Sequence, residues 1–140
     1  MNSASDPILE RATFLAKRPC SVRSIMFLIL FDLGAPMGNA GSEHLIHVVE
    51  EAVGAGHIRI ITSELFEIVR QKYDPNANYD SIDDAIHTLF QTVWKNREED
   101  IWRRYFPRRI VNGKKPPGNV DAISSLVCFV YLCQIGRAHV

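Results

Sequence analysis

From Ile82 to Trp94 the apolar residues recur on one face of a helix. Ile82, Ala85, Ile86, Leu89, Phe90, Val93 and Trp94 stand at i, i+3, i+4, i+7, i+8, i+11 and i+12. A strand would alternate with period two, whereas this spacing keeps one face for about four turns at 3.6 residues per turn. Asp80 to Trp94 is therefore a helix with one buried side. The opposite side carries Asp80, Asp83, Asp84, His87, Thr88, Gln91 and Lys95. Ahead of it, ELFEIVRQKY at 64–73 puts Leu65, Phe66, Ile68 and Val69 on one side of a second amphipathic helix. The five residues between, DPNAN at 74–78, are turn formers apart from Ala77. Helix, short turn and longer helix with a polar outer face is the form of a helix-turn-helix, whose second helix enters a DNA groove. An αα-hairpin inside any helical domain has the same pattern, and periodicity leaves both open.

The remaining chain adds helices around this pair. A length of 140 residues allows one domain with a single core. Residues 1–20 form a leader or a short helix, Ile8 to Lys17, with Ser5 or Asp6 as cap and Pro7 at its first position. In Ser24 to Leu33 the unbroken apolar run, Ile25 to Phe31, falls far short of the roughly 20 residues of a membrane helix. Acids in the long leader, and Asp32 directly after the run, fit a signal peptide poorly. A core helix ending at Gly34 is the better reading. Ser42 can cap a helix over Glu43 to Val53, with Leu45, Ile46, Val48, Val49, Ala52 and Val53 inward. His57 to Ile61 could pass for a strand, but has no second strand signal to pair with. Thr62 or Ser63 then caps the first helix of the central pair. Ile101, Trp102, Tyr105 and Phe106 define a helix from Asp100 to Phe106, ended by Pro107. RRIVNGKKPPGN reads as a basic connector, after which Asn119 caps a last apolar helix from Val120. Every clear element is helical, so the expected class is all-α.

Charge is unevenly placed on a chain of zero net charge. Residues 1–94 hold 7 Lys and Arg against 12 Asp and Glu, and residues 95–140 hold 9 against 4. The stretch from Ile101 to Val120 has six basic residues and no acid. Such a patch suits a polyanion, and a solvated loop has the same composition. Three cysteines with no CxxC suggest reduced, partly buried thiols in a cytoplasmic protein. His44, His47 and Glu51 share a helix face but have no fourth ligand, so metal and cofactor are expected to be absent. There is no nucleophile beside a base and no glycine-rich phosphate loop, which argues against an enzyme with a small-molecule substrate.

The last six residues stand apart. IGRAHV, 135–140, is what a common short-read sequencing adapter encodes in one frame, ATC GGA AGA GCA CAC GTC, followed by the stop TGA. We set this stretch aside from fold and function, and expect the natural protein to continue beyond Gln134.

With the elements placed, the order of segments resembles the C-terminal effector domain of the sporulation stage-zero A response regulators, the sporulation initiation factors. The stretches that carry it are FDLGAP at 31–36, IHVVEEAV at 46–53, ITSELFEIVRQKY at 61–73, SIDDAIHTLFQTVW at 81–94, DIWRRYF at 100–106 and KPPGNVDAI at 115–123. The resemblance covers residues 21–134. It implies a compact six-helix, all-α domain containing a helix-turn-helix, with Glu64–Tyr73 as first helix and Asp80–Trp94 as recognition helix. It implies a cytoplasmic transcription regulator in endospore-forming bacteria that binds double-stranded DNA, usually behind a receiver domain, with a homodimer on DNA left open.

The chain departs from that pattern in three places. About 20 residues ahead of the domain cannot form a receiver. The turn is two residues longer. Ser81, Asp84 and His87 stand where the family's base-reading helix carries arginines, the commonest readers of guanine. Acids in a first helical turn also complement the helix dipole, with no bearing on DNA. The expected DNA-contacting set is Asn78, Ser81, Asp84, His87 and Gln91 at the recognition helix, with Arg103, Arg104, Arg108, Arg109, Lys114 and Lys115 on phosphates. The alternative is a protein-interaction module that kept the fold, lost base reading and meets its partner through the acidic face.

Overall fold

The computed structural model describes residues 6–18 and 20–138, with 137 and 138 described by backbone alone. Eight helices follow in order: α1 (Pro7–Ala16), α2 (Val22–Leu33), α3 (Ala40–Gly54), α4 (Thr62–Tyr73), α5 (Tyr79–Lys95), α6 (Glu99–Trp102), α7 (Arg108–Val111) and α8 (Asn119–Ala138). Among the described residues there is no strand, so the all-α class holds. Where six helices were expected over 21–134, seven stand, α2 to α8, with α1 ahead of them, among these residues. The "basic connector" contains α7, because Ile110 and Val111 drop into the core, a signal too short to show periodicity. His57 to Ile61 is an irregular crossing in which the carbonyl of His57 accepts from the Tyr131 hydroxyl at 2.9 Å.

Helix α3 lies at the centre and packs against α2, α4, α5 and α8. Leu45, Ile46, Val48, Val49 and Ala52 are sealed from solvent on it, a helix apolar over most of its circumference. Its contact with α5 is unusually close. A Cβ on Gly41 would lie 2.5 Å from the carbonyl oxygen of Ala85 and 3.1 Å from Cβ of Leu89. Only a residue without a side chain lets the two backbones meet there, and this fixes where α5 sits. The buried face of α5 is Ile82, Ile86, Leu89, Phe90, Val93 and Trp94, as the spacing requires. Trp94, Phe90, Leu65 and Ile25 belong to one core. Aromatic contacts extend it: Trp94 meets Trp102 edge-on at 5.2 Å, Trp102 stacks on Phe106 at 4.7 Å, and Phe129 meets Tyr105 at 5.0 Å.

Helix ends follow local chemistry, with three changes from the sequence reading. Asp6 caps α1, its carboxylate accepting from Ile8 and Leu9 amides, with Pro7 in the first turn; Ser5 lies outside the described residues. Gly34 ends α2 with φ 77°, and the Ala35 amide returns to the Leu30 carbonyl at 2.9 Å, the 6→1 bond of a Schellman motif. Asn39, not Ser42, caps α3; Ser42 is inside the helix and donates its hydroxyl to the Pro36 carbonyl at 2.7 Å. Helix α4 begins after Ile61 with no side-chain cap, and the Thr62 hydroxyl pairs instead with Tyr79 at 3.0 Å. Asn119 is the first residue of α8, and its amide reaches Asp83 on α5 at 2.8 Å. A tertiary partner outbid the local cap in each of the last two.

Helix α1 lies along α8, with Ala12, Leu15 and Ala16 buried. A polar clamp holds it from the side. One oxygen of Asp32 accepts from Arg11 and from Arg104, each at 3.2 Å, and from the hydroxyl of Tyr105. Burial, then the bond to Asp32, pushes the Tyr105 phenol up to about 12. Helix α8 is long and apolar enough, by length and composition, to cross a membrane. Ala122, Ile123, Leu126, Val127, Phe129, Val130 and Cys133 are buried against the other helices, and α8 is part of the core. It runs on through the adapter-like stretch to Ala138. Ile135 is exposed, while a Cβ on Gly136 would lie 2.9 Å from that of Ala16, a contact with α1 that a loose tail would not make. Residues 139 and 140 lie outside the described residues.

Candidate nucleic-acid interface

Helix α5 presents its polar side to solvent. Asn78, Ser81, Asp84, His87 and Gln91 are all exposed, but they are not chemically equivalent. Asn78 and Ser81 form a capping box. The Ser81 amide donates to Asn78 Oδ1 at 2.8 Å, and the Asn78 amide donates to Ser81 Oγ at 3.0 Å. The Ser81 hydroxyl also donates to the Asn78 carbonyl at 2.9 Å. Both residues serve the start of the helix. Asp83 turns sideways and accepts from Asn119, tying α5 to the head of α8.

Asp84 and His87 border a shallow depression of about 330 Å³ with Thr62, Tyr79, Asp83, Asn119 and Val120. It lies where the heads of α4, α5 and α8 converge. Thr88 and Lys95 share the exposed side of α5, and both belong beside Gln91 in any account of this surface. The polar-face periodicity already contained them.

The six basic residues divide. Arg103 pairs with Glu99 at 3.4 Å and Asp100 at 3.8 Å. Arg104 is held by Asp32. Arg109 pairs with Asp121 at 3.1 Å, and that carboxylate raises its pKa. Arg108, Lys114 and Lys115 are exposed and have no ion pair among the described residues. Arg103 and Arg108 line a cleft whose other wall is Asp6, Pro7 and Ile8, and Arg104 lines a second cleft against α1. Neither cleft includes a residue of α5. Lys114 and Lys115 lie in the loop between α7 and α8. Lys115 is four residues before Asn119, which touches Asp83, so the chain between them spans at most about 14 Å.

A second polar cluster braces the turn ahead of α5. His44, buried on α3, has Nε2 3.8 Å from Asp74 at the end of α4. Burial lowers its pKa, against the opposing pull of Asp74. His47 stacks on Tyr73 with ring centres 3.7 Å apart, and Glu51 accepts from Lys72 at 2.9 Å and from the Tyr73 hydroxyl at 3.0 Å. The helix face that carried the weak metal pattern is occupied by these contacts. Among the described residues no group of three His, Cys, Asp or Glu side chains is placed to hold a metal.

The family described as "Sporulation initiation factor Spo0A C terminal" matches residues 26–129, which is most of the chain and all of α3 to α7. This chain belongs to that family. No curated protein and no solved structure matches it. At the family level it is a DNA-binding domain of transcription regulation in sporulation, the effector part of a response regulator, and the family is not one of enzymes. Helix α1 and the end of α8 lie outside the matched residues.

Proposed function

We propose that the chain binds double-stranded DNA in the cytoplasm as a transcription regulator, with α4, the turn at 74–78 and α5 acting as a helix-turn-helix. In this reading α5 enters the major groove, and Asp84, His87, Thr88 and Gln91 face base edges. Lys114 and Lys115, with Arg108 further out, hold phosphates. Arg103, Arg104 and Arg109 contribute only by exchanging a carboxylate for a phosphate. The observation that carries the reading is the exposed polar side of α5 in a chain of a DNA-binding family. Asn78 and Ser81 act indirectly, by setting the start of the helix.

A second reading has one observation in its favour. Asp80 and Asp84 are both exposed on the leading half of α5, where carboxylates repel phosphates, and a basic protein partner would suit them. Fluorescence anisotropy with labelled random-sequence duplex at low salt separates the two. The DNA reading predicts saturable binding that weakens on changing Lys114 and Lys115 to Ala together. Absence of binding by the folded chain leaves the interaction module.

A further inference from the structure

We infer that Asp84 is a specificity-determining residue that reads a hydrogen-bond donor on a base edge, the N4 amine of cytosine first and the N6 amine of adenine second. The inference rests on the DNA-binding reading above and says what that surface selects. It follows from counting which polar atoms of α5 are still unshared. Asn78 Oδ1 and the Ser81 hydroxyl are consumed by the capping box. The Thr92 hydroxyl donates back to the Thr88 carbonyl at 2.9 Å, Asp83 is taken by Asn119 at 2.8 Å, and the Tyr79 hydroxyl pairs with Thr62. Asp80, Asp84, His87, Thr88, Gln91 and Lys95 keep their side-chain groups unshared among the described residues, all exposed along one side of the helix. Asp80 sits in the first turn, where a carboxylate complements the helix dipole, which leaves Asp84 as the acceptor within the body of the face.

Their chemistry has a direction. Asp84 offers acceptors only, His87, Thr88 and Gln91 offer either, and Lys95 offers donors only. Guanine and thymine present acceptors in the major groove at the positions where cytosine and adenine present amines. A carboxylate therefore meets a partner only opposite cytosine or adenine. Opposite any other base it stays desolvated and close to phosphates, which penalises the wrong sequence. Seven residues separate Asp84 from Gln91, a rise of about 10 Å. At about 3.4 Å per base along one strand this spans about three base steps. The required amine is thus displaced by about three steps from the base that Gln91 faces.

The test is selection from a randomised duplex pool by the full chain, followed by anisotropy titrations on the selected duplex. Wild type should fix cytosine or adenine at one position, and replacing that pair by T·A or G·C should weaken binding about tenfold or more. Asp84→Ala should bind random duplex more tightly, lose the preference at that position alone and keep the others. Asp84→Asn should move the preference toward adenine, which an amide can pair with twice. Both variants change an exposed side chain, and unchanged melting temperatures verify their fold. If Asp84→Ala strengthens binding to random and selected duplexes by the same factor, with the selected sequence unaltered, Asp84 merely repels phosphate and the inference is overturned. The DNA-binding reading survives that result. Wild type that binds no duplex at low salt overturns both.

Discussion

At the scale of single residues, position matters more than residue type. Gly41 passes in the sequence for one of several small residues in a loop, yet it is where α3 and α5 touch. Gly41→Ala should destabilise the chain by about 1–3 kcal/mol through overpacking, read by urea denaturation, while Gly54→Ala, with nothing near its added carbon, should be nearly silent. Trp94 is 7% exposed, and its replacement by Ala should cost about 3–5 kcal/mol. His44 gives a pH dependence of defined sign. Its folded pKa lies below the ordinary 6.5 because burial disfavours the cation, although Asp74 favours it and the neighbouring His47 and Glu43 act in opposite senses. The unfolded chain then binds the proton first, so stability is lost as pH falls through about 6.5 toward the folded value. Denaturation midpoints between pH 7.5 and 5.5 should show this loss, and His44→Gln should flatten it. None of these three roles was legible beforehand in full. Burial of Trp94 follows from its periodicity, but the Gly41 contact with Ala85 and the His44 contact with Asp74 are made by residues 30 or more positions away.

At the scale of elements, the sequence reading succeeds where one helix has one apolar face and fails where distant groups decide an end. The two central helices are legible within two residues at either end, and the exposed side of α5 follows from their pattern. Helix α7 was hidden because a single turn has no period to detect. The expected caps at Thr62 and Asn119 were displaced by contacts to Tyr79 and Asp83, which no local pattern encodes. The polar side of α5 was legible as a face, but the capping box that occupies Asn78 and Ser81 shows only in the geometry. Asn78→Ala should therefore cost about 0.5–2 kcal/mol of stability by unmaking the cap. Its effect on DNA affinity should not depend on sequence, unlike that of Gln91→Ala. The Asp32 clamp makes a prediction of the same kind. Asp32→Ala leaves the Tyr105 hydroxyl buried without its acceptor, costing about 1–3 kcal/mol, and frees Arg11 and Arg104.

At the scale of the whole molecule, α1 packs along α8, and the head of α8 is tied to α5 through Asn119 and Asp83. Removal of Ile135–Val140 should lower the melting temperature by no more than about 3 °C, because Ile135 is exposed and Gly136 contributes only backbone contact to Ala16. A larger drop would mean that the last turn of α8 belongs to the core. The basic residues, which looked like one patch in the sequence, are divided by their carboxylate partners, and in the proposed reading the phosphates fall mainly to the three that have none among the described residues. Salt dependence counts such contacts directly. The decisive measurement is the slope of log K against log salt for duplex DNA. Three freed counterions, at Arg108, Lys114 and Lys115, give a slope of about −2.7, and changing both lysines to Ala should bring it to about −0.9. Changing Arg103 and Arg104 together should move it less than the lysine pair does. Binding whose slope is near zero, or no binding at low salt, would contradict the account that this domain holds DNA through the α5 side and the loop before α8.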